Sequence, residues 1–168
     1  MEINKYPNKQ ETLDDLYLQI FNTHMNFFKE IPPSRETEKY STIDRQLLDR
    51  DGKRLINVEL KTRFCDINTF DGIFIENKKW EALKFDYINK NIIPLYINFF
   101  YDHRNVLIYN LRQYFDNKQT QPQTKYVDID NWGYGRRDLN QLRYILPQRH
   151  GIYYQFDKKE NKYIRKWG

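Results

Sequence analysis

The sequence predicts a single mixed α/β domain, and three observations carry that reading. Apolar residues recur at three- and four-residue spacing near the N-terminus and again beyond residue 77, as on amphipathic helices. Between and after those segments they gather into short runs broken by Asp-Gly and Asn-rich turns, as in strands. The chain also holds 14 Tyr and 11 Phe. Disordered segments are poor in aromatics, so a chain only 39% hydrophobic still has the material for a core.

The elements follow in order. Residues 11–30 read as a helix with Leu13, Leu16, Tyr17, Ile20, His24, Phe27 and Phe28 on one face, stopped by Pro32-Pro33. Residues 40–49 and 55–62 read as two strands joined at Asp51-Gly52, a dipeptide that favours hairpin turns. Ile73-Phe74-Ile75 is a short third strand. Asn77 can cap a second helix over 78–89, with Trp80, Leu83 and Tyr87 on its apolar face. Strands over 92–101 and 106–111 follow. The predicted order is thus αβββαββ. The polar stretch 117–124 separates this unit, residues 1–116, from a β-rich C-terminal extension, residues 117–168, packed on the same domain. Its predicted strands are 126–129, 152–156 and 163–167.

The hairpin places charged groups by arithmetic. With Asp51 and Gly52 central in the turn, Arg50 faces Lys53, Leu47 faces Ile56, Gln46 faces Asn57 and Asp44 faces Glu59. Side chains alternate faces along a strand, so Ile43, Leu47, Ile56 and Leu60 form an apolar face. Asp44, Glu59 and Lys61 gather on the other. Like charges directly opposite each other are destabilising. A divalent cation between the carboxylates removes that cost, and one or two carboxylates plus waters suit Mg²⁺. An ammonium at Lys61 can hold an attacking water or offset charge on a phosphate. These groups suit metal-assisted hydrolysis of a phosphodiester. The alternative is a solvated, salt-bridged face in which Lys61 neutralises both acids. The Asp/Glu-x-Lys pattern alone decides nothing, because it recurs at residues 51, 76, 116, 157 and 160. Only Glu59–Lys61 lies inside a strand with an acid across the hairpin.

Asp44 in Ser41-Thr42-Ile43-Asp44, followed by Val58-Glu59-Leu60-Lys61-Thr62-Arg63, resembles the PD-(D/E)XK nuclease superfamily over about residues 11–111. The resemblance implies a restriction-endonuclease-like core of helix, three strands, helix and strand. It implies a Mg²⁺-dependent DNA endonuclease, with Mn²⁺ able to substitute. Asp44, Glu59 and the backbone carbonyl of Leu60 would be metal ligands, and Lys61 would assist the attacking water. The usual proline before the Asp is Ile43 here. Many members add a first-helix glutamate; Glu11 and Glu30 are the candidates, and Glu11 is preferred because a carboxylate is favoured at a helix N-terminus.

Arg63, Lys78, Lys79, Arg136 and Arg137 are the candidate nucleic-acid contacts. Two lysines in a first helical turn oppose the helix dipole, which hints at a use. Trp132-Gly133-Tyr134-Gly135-Arg136-Arg137 suits base stacking with phosphate contact; a packed turn with solvated arginines explains it as well. The net charge of +5 agrees with a polyanionic partner without requiring one. Cys65 is the single cysteine, which excludes an intrachain disulfide. With neither a signal peptide nor a long apolar run, the expected setting is cytoplasmic, off the membrane. A homodimer is compatible with the size. The competing function is a non-catalytic nuclease-fold module that binds nucleic acid or protein.

Overall fold

A computed structural model describes residues 9–30, 43–117, 120–129 and 138–168. The fold is mixed α/β and rich in strand. In chain order it contains α1 (Lys9–Met25), β1 (Phe28–Glu30), β2 (Arg45–Asp49), β3 (Leu55–Arg63), β4 (Gly72–Glu76), α2 (Asn77–Lys90) and β5 (Ile93–Phe100). Then come β6 (Asn105–Asn110), α3 (Arg112–Asp116), β7 (Gln123–Ile129), β8 (Asp138–Pro147), β9 (Ile152–Asp157) and β10 (Lys162–Trp167). Seven strands form a curled sheet in the order β1-β2-β3-β5-β6-β9-β10, and β4-β8-β7 form a second, smaller sheet. Among the described residues only β3 and β5 pair in parallel.

The β2–β3 hairpin has the predicted register, with Gln46 against Asn57 and Leu47 against Ile56. Its turn is wider by one pair than expected. Asp49 N–H donates to the Arg54 carbonyl at 2.9 Å, and residues 50–53 form the loop. Gly52 sits at φ +74°, a conformation that costs a side-chain-bearing residue. Asp49 Oδ1 accepts from Lys53 N–H at 2.7 Å and closes the loop from inside.

The predicted order gains β1 and α3, and its third strand, β4, leaves the main sheet to pair with β8, a strand the sequence reading did not include. The first helix ends earlier than its apolar pattern suggests. Asn26 turns left-handed at φ +50°. The side chain of Asn22 then catches the departing chain, accepting from the N–H groups of Phe27 and Phe28 at 2.9 Å each. Phe28 thereby enters β1 instead of continuing the helix. The buried residues of α1 are Asp14, Leu18 and Phe21, whereas Leu16 is exposed. Glu76, not Asn77, occupies the cap position of α2, and Asn91 ends that helix in the left-handed conformation.

Two cores flank the large sheet. On one face Leu18 and Phe21 of α1 meet Val58, Leu60, Ile97, Phe99 and Tyr154. On the other, Trp80 and Leu83 of α2 pack with Ile73, Ile75, Tyr96, Phe100, Tyr109 and Leu146. Residues 117–168 complete both layers: β8 and β7 build the small sheet, while β9 and β10 extend the large one. No helix among the described residues is long and apolar enough to cross a membrane.

Arg63 bolts the two sheets together. Its guanidinium donates to Asn98 Oδ1, the Phe74 carbonyl and Tyr96 Oη, each at 2.9 Å. Tyr96 Oη itself donates to the Phe74 carbonyl at 2.8 Å. Removing these donors from a half-buried cluster leaves several acceptors short. Arg63→Met is expected to cost ~2–4 kcal/mol in urea unfolding. Arg63→Lys should recover only part, because a single ammonium cannot reproduce the planar fork. An unchanged midpoint in Arg63→Met would show the three bonds to be idle.

Candidate active site

The site forms where the hairpin, one residue beyond the last β2–β3 pair, meets the first turn of α2. Extending the register past Arg45–Val58 sets Asp44 against Glu59. Asp44 does more than face its partner: its Oδ2 accepts from Leu60 N–H at 2.8 Å, taking the place of a ladder carbonyl as β2 ends. The other oxygen, Oδ1, lies 3.0 Å from Lys79 Nζ. The same ammonium lies 2.9 Å from Glu59 Oε2. Two carboxylates on adjacent strands therefore share one cation, supplied by the helix above them.

The three side chains differ in depth. Glu59 keeps only 11% of its side-chain surface, Lys79 23% and Asp44 31%. Glu59 forms the floor and Asp44 the rim. Glu59 Oε2 is buried, and apart from the ion pair with Lys79 no hydrogen bond of good angle reaches it among the described residues. Burial pushes the Glu59 carboxyl up to about 8, helped by the negative charge of Asp44 and partly offset by Lys79. Burial pulls Lys79 down, but Glu59 and Asp44 outweigh it and hold the ammonium above its ordinary value.

A second tie holds α2 over the hairpin. Gln46 Nε2 donates to Asn57 Oδ1 at 2.9 Å, and Asn57 Nδ2 donates to Asp86 Oδ2 at 2.7 Å. Asp86 is seven residues from Lys79, so both lie on the same face of the helix. Tyr96 stands beside Glu59 in the β3–β5 register. Its phenol is pushed up to about 12 by burial, against the pull of Arg63.

The remaining predicted residues fall as follows. Lys61 is exposed, and among the described residues no ion pair holds it. The bridging cation is Lys79 rather than Lys61, which had been the candidate for neutralising both acids. Leu60 buries its side chain in the α1-side core while its N–H holds Asp44. Arg63 is committed to the joint between the sheets, so its guanidinium faces protein and not a groove. Lys78 is exposed in the first turn of α2. The side chains of Glu11 and Glu30, and the whole of Arg136 and Arg137, lie outside the described residues. The acid that α1 does bring to β3 is Asp14, which is buried and accepts from Thr62 Oγ1. Thr62 shares the face of Leu60, so Asp14 lies across the strand from Glu59.

Sequence reasoning named Lys79 without its partners, set Asn57 opposite Gln46 without giving it a role, and passed over Asp86. Their spacing was the available signal: residues 79 and 86 repeat at seven on one helix face, opposite the polar face of the second strand. Among the described residues no group of three or more His, Cys, Asp or Glu side chains is placed to hold a metal. The pair Asp44–Glu59 fits a hard divalent cation on a narrower ground. It offers a buried carboxylate oxygen in want of a well-directed partner, beside a second carboxylate, and waters can complete such a shell. No protein-family model, curated protein or solved structure matches the chain.

Glu59 has a measurable signature. Its folded-state value of about 8 lies above the ordinary 4.5. Across that interval the folded protein retains a proton that the unfolded chain releases. The stability contributed is complete below the unfolded value and is lost as pH rises through the folded one. Urea midpoints of the wild-type protein should therefore fall between about pH 5 and about pH 8.5. Glu59→Gln, which stays neutral, is expected to flatten that fall. An equal decline in both proteins would place the proton elsewhere.

Proposed function

We propose that the protein is a Mg²⁺-dependent nuclease, acting on DNA, whose reaction centre is built on Asp44, Glu59 and Lys61. The observation that carries this reading is the convergence of Asp44 Oδ1 and Glu59 Oε2 on a single cation, Lys79 Nζ. Opposed carboxylates are costly to build, and the hairpin register puts them together. Along the chain α1, β2, β3, β4, α2 and β5 follow one another as the resemblance to the PD-(D/E)XK superfamily implies, with β1 added and with β4 in the small sheet, so the support comes from element order and not from sheet membership.

On this reading Asp44 and Glu59 hold the metal, joined by the carbonyl of Leu60. Bound there, Mg²⁺ supplies Lewis acidity toward a phosphate oxygen and makes a water more acidic. The chain's own residues do the rest. Leu60 N–H fixes the orientation of the Asp44 carboxylate. Glu59 lies where water is nearly excluded, so charge interactions at its carboxyl are less screened than in solvent. Lys61, exposed two residues along the strand, orients the water for in-line attack and offsets charge gathering on the phosphate. Lys78, exposed beside the site, meets the substrate backbone.

One observation favours a second reading. Lys79 already neutralises both acids, as a non-catalytic nucleic-acid-binding module of the same fold would need.

A cleavage assay on duplex, branched and single-stranded DNA with Mg²⁺ or Mn²⁺ separates the two. Cleavage is expected with the wild-type protein, falling ~10²-fold or more in Asp44→Ala and in Lys61→Ala. Cutting that survives both substitutions unchanged defeats the assignment. Salt-sensitive binding without cutting selects the binding module.

A further inference from the structure

The same two oxygens that a divalent ion would need are the two that Lys79 touches. Asp44 Oδ2 is already committed to Leu60 N–H, which leaves Oδ1 to face an incoming cation. Lys79 Nζ lies 3.0 Å from that Oδ1 and 2.9 Å from Glu59 Oε2. Mg²⁺ bonds carboxylate oxygens at about 2.0–2.1 Å and carries two charges. An ammonium within 3.0 Å of both oxygens cannot share them with such an ion.

We propose that Lys79 is a tethered stand-in cation, which occupies the Asp44–Glu59 pair in the metal-free protein and must be displaced by an arriving Mg²⁺ or Mn²⁺. The inference rests on the reading of Asp44 and Glu59 as metal ligands, and it adds a competitor inside the chain itself.

Three features fit the role. A lysine is a compact charge on a flexible four-carbon stem, so it can leave without moving α2. The helix stays docked through Asn57–Asp86, a tie that does not involve the lysine. The way in lies on the side of Asp44, whose side chain is nearly three times as exposed as that of Glu59, 31% against 11%. The arrangement also explains how two opposed acids are tolerated in the absence of metal. Without a cation between them, the buried acid could ionise only as an uncompensated charge, a strongly destabilising state.

Two measurements without substrate test the proposal. The first is Mn²⁺ titration followed by electron paramagnetic resonance of the free ion. Lys79→Met is expected to bind Mn²⁺ at least ~10-fold more tightly than wild type, because no internal cation competes. Lys79→Arg, which keeps the charge, should stay close to wild type. Adding Glu59→Gln to Lys79→Met should abolish the gain. The second needs no substitution and so does not depend on a variant folding. In the wild-type protein, acetylation of Lys79 read by mass spectrometry should rise several-fold at saturating Mg²⁺, relative to the exposed Lys78. Wild-type protein that binds Mn²⁺ while Lys79→Met binds no more tightly, or Lys79 reactivity unmoved by Mg²⁺ binding, overturns the stand-in role and leaves the metal site standing. Absence of Mn²⁺ binding in wild type and variants alike overturns both.

Discussion

Two acids face each other across the β2–β3 hairpin with one cation between them, and much of the surrounding architecture places those three groups. The loop at residues 50–53 fixes the register; a slip by one residue would carry Glu59 to the opposite face of its strand. Asp44 then lies one step past the last strand pair, where its carboxylate closes the end of the ladder on Leu60 N–H. That bond fixes which oxygen faces inward. The depth of Glu59 sets its contact with Lys79 apart from a surface ion pair, ordinarily worth little, because burial makes ionisation costly without a cation beside it.

The cation comes from α2, and the small sheet determines where α2 begins. Glu76 ends β4 and Asn77 starts the helix, with no linker between them. Pairing β4 with β8 therefore sets the starting point of the first helical turn and of Lys79 within it. Arg63 secures the arrangement from the other side, tying β3 to the carbonyl of Phe74 in the middle of β4. The helix presents two edges. Trp80 and Leu83 face the apolar layer, where Trp80 stacks on Tyr144 of β8 with ring centroids 4.4 Å apart. Lys79 and Asp86 face the polar side of the hairpin. Two turns of helix separate those contacts, about 10 Å along its axis. Anchored at both points, the helix cannot rock away from the acids without breaking a buried polar contact.

What the sequence made legible follows from the range of the forces involved. The hairpin register was readable because a tight turn and strict alternation are local, and a wider loop about the same centre preserved the pairing. The early end of α1 was not readable from periodicity, since Phe27 and Phe28 continue the helical spacing. Asn26 and Asn22 decide it by backbone conformation and side-chain capture. The separation of β4 from the large sheet depends on β8, some seventy residues later, and no local pattern reports such a pairing. β8 itself carried apolar residues at Leu142, Tyr144 and Leu146, but Ile145 between the last two blurs the alternation. The placement of Arg63 was obscured in a similar way. A strand-end arginine reads as a surface charge until the neighbouring sheet is known to offer it a carbonyl.

The two lysines show why the motif and the site do not coincide. Lys61 follows Glu59 by two residues on one strand face, so their Cα atoms stand nearly 7 Å apart, side by side. A side chain rising from that position runs parallel to the acid, towards solvent, and Lys61 is indeed exposed. Lys79 descends from the helix onto the sheet and enters the space between the strands, the direction from which one atom can reach both carboxylates. Geometry thus assigns charge compensation to the helix lysine and leaves the strand lysine unpaired at the opening. A face that used Lys61 for neutralisation would have no mobile charge to spare. With Lys79 in that role, Lys61 stays a solvent-facing cation two residues along the strand from Glu59.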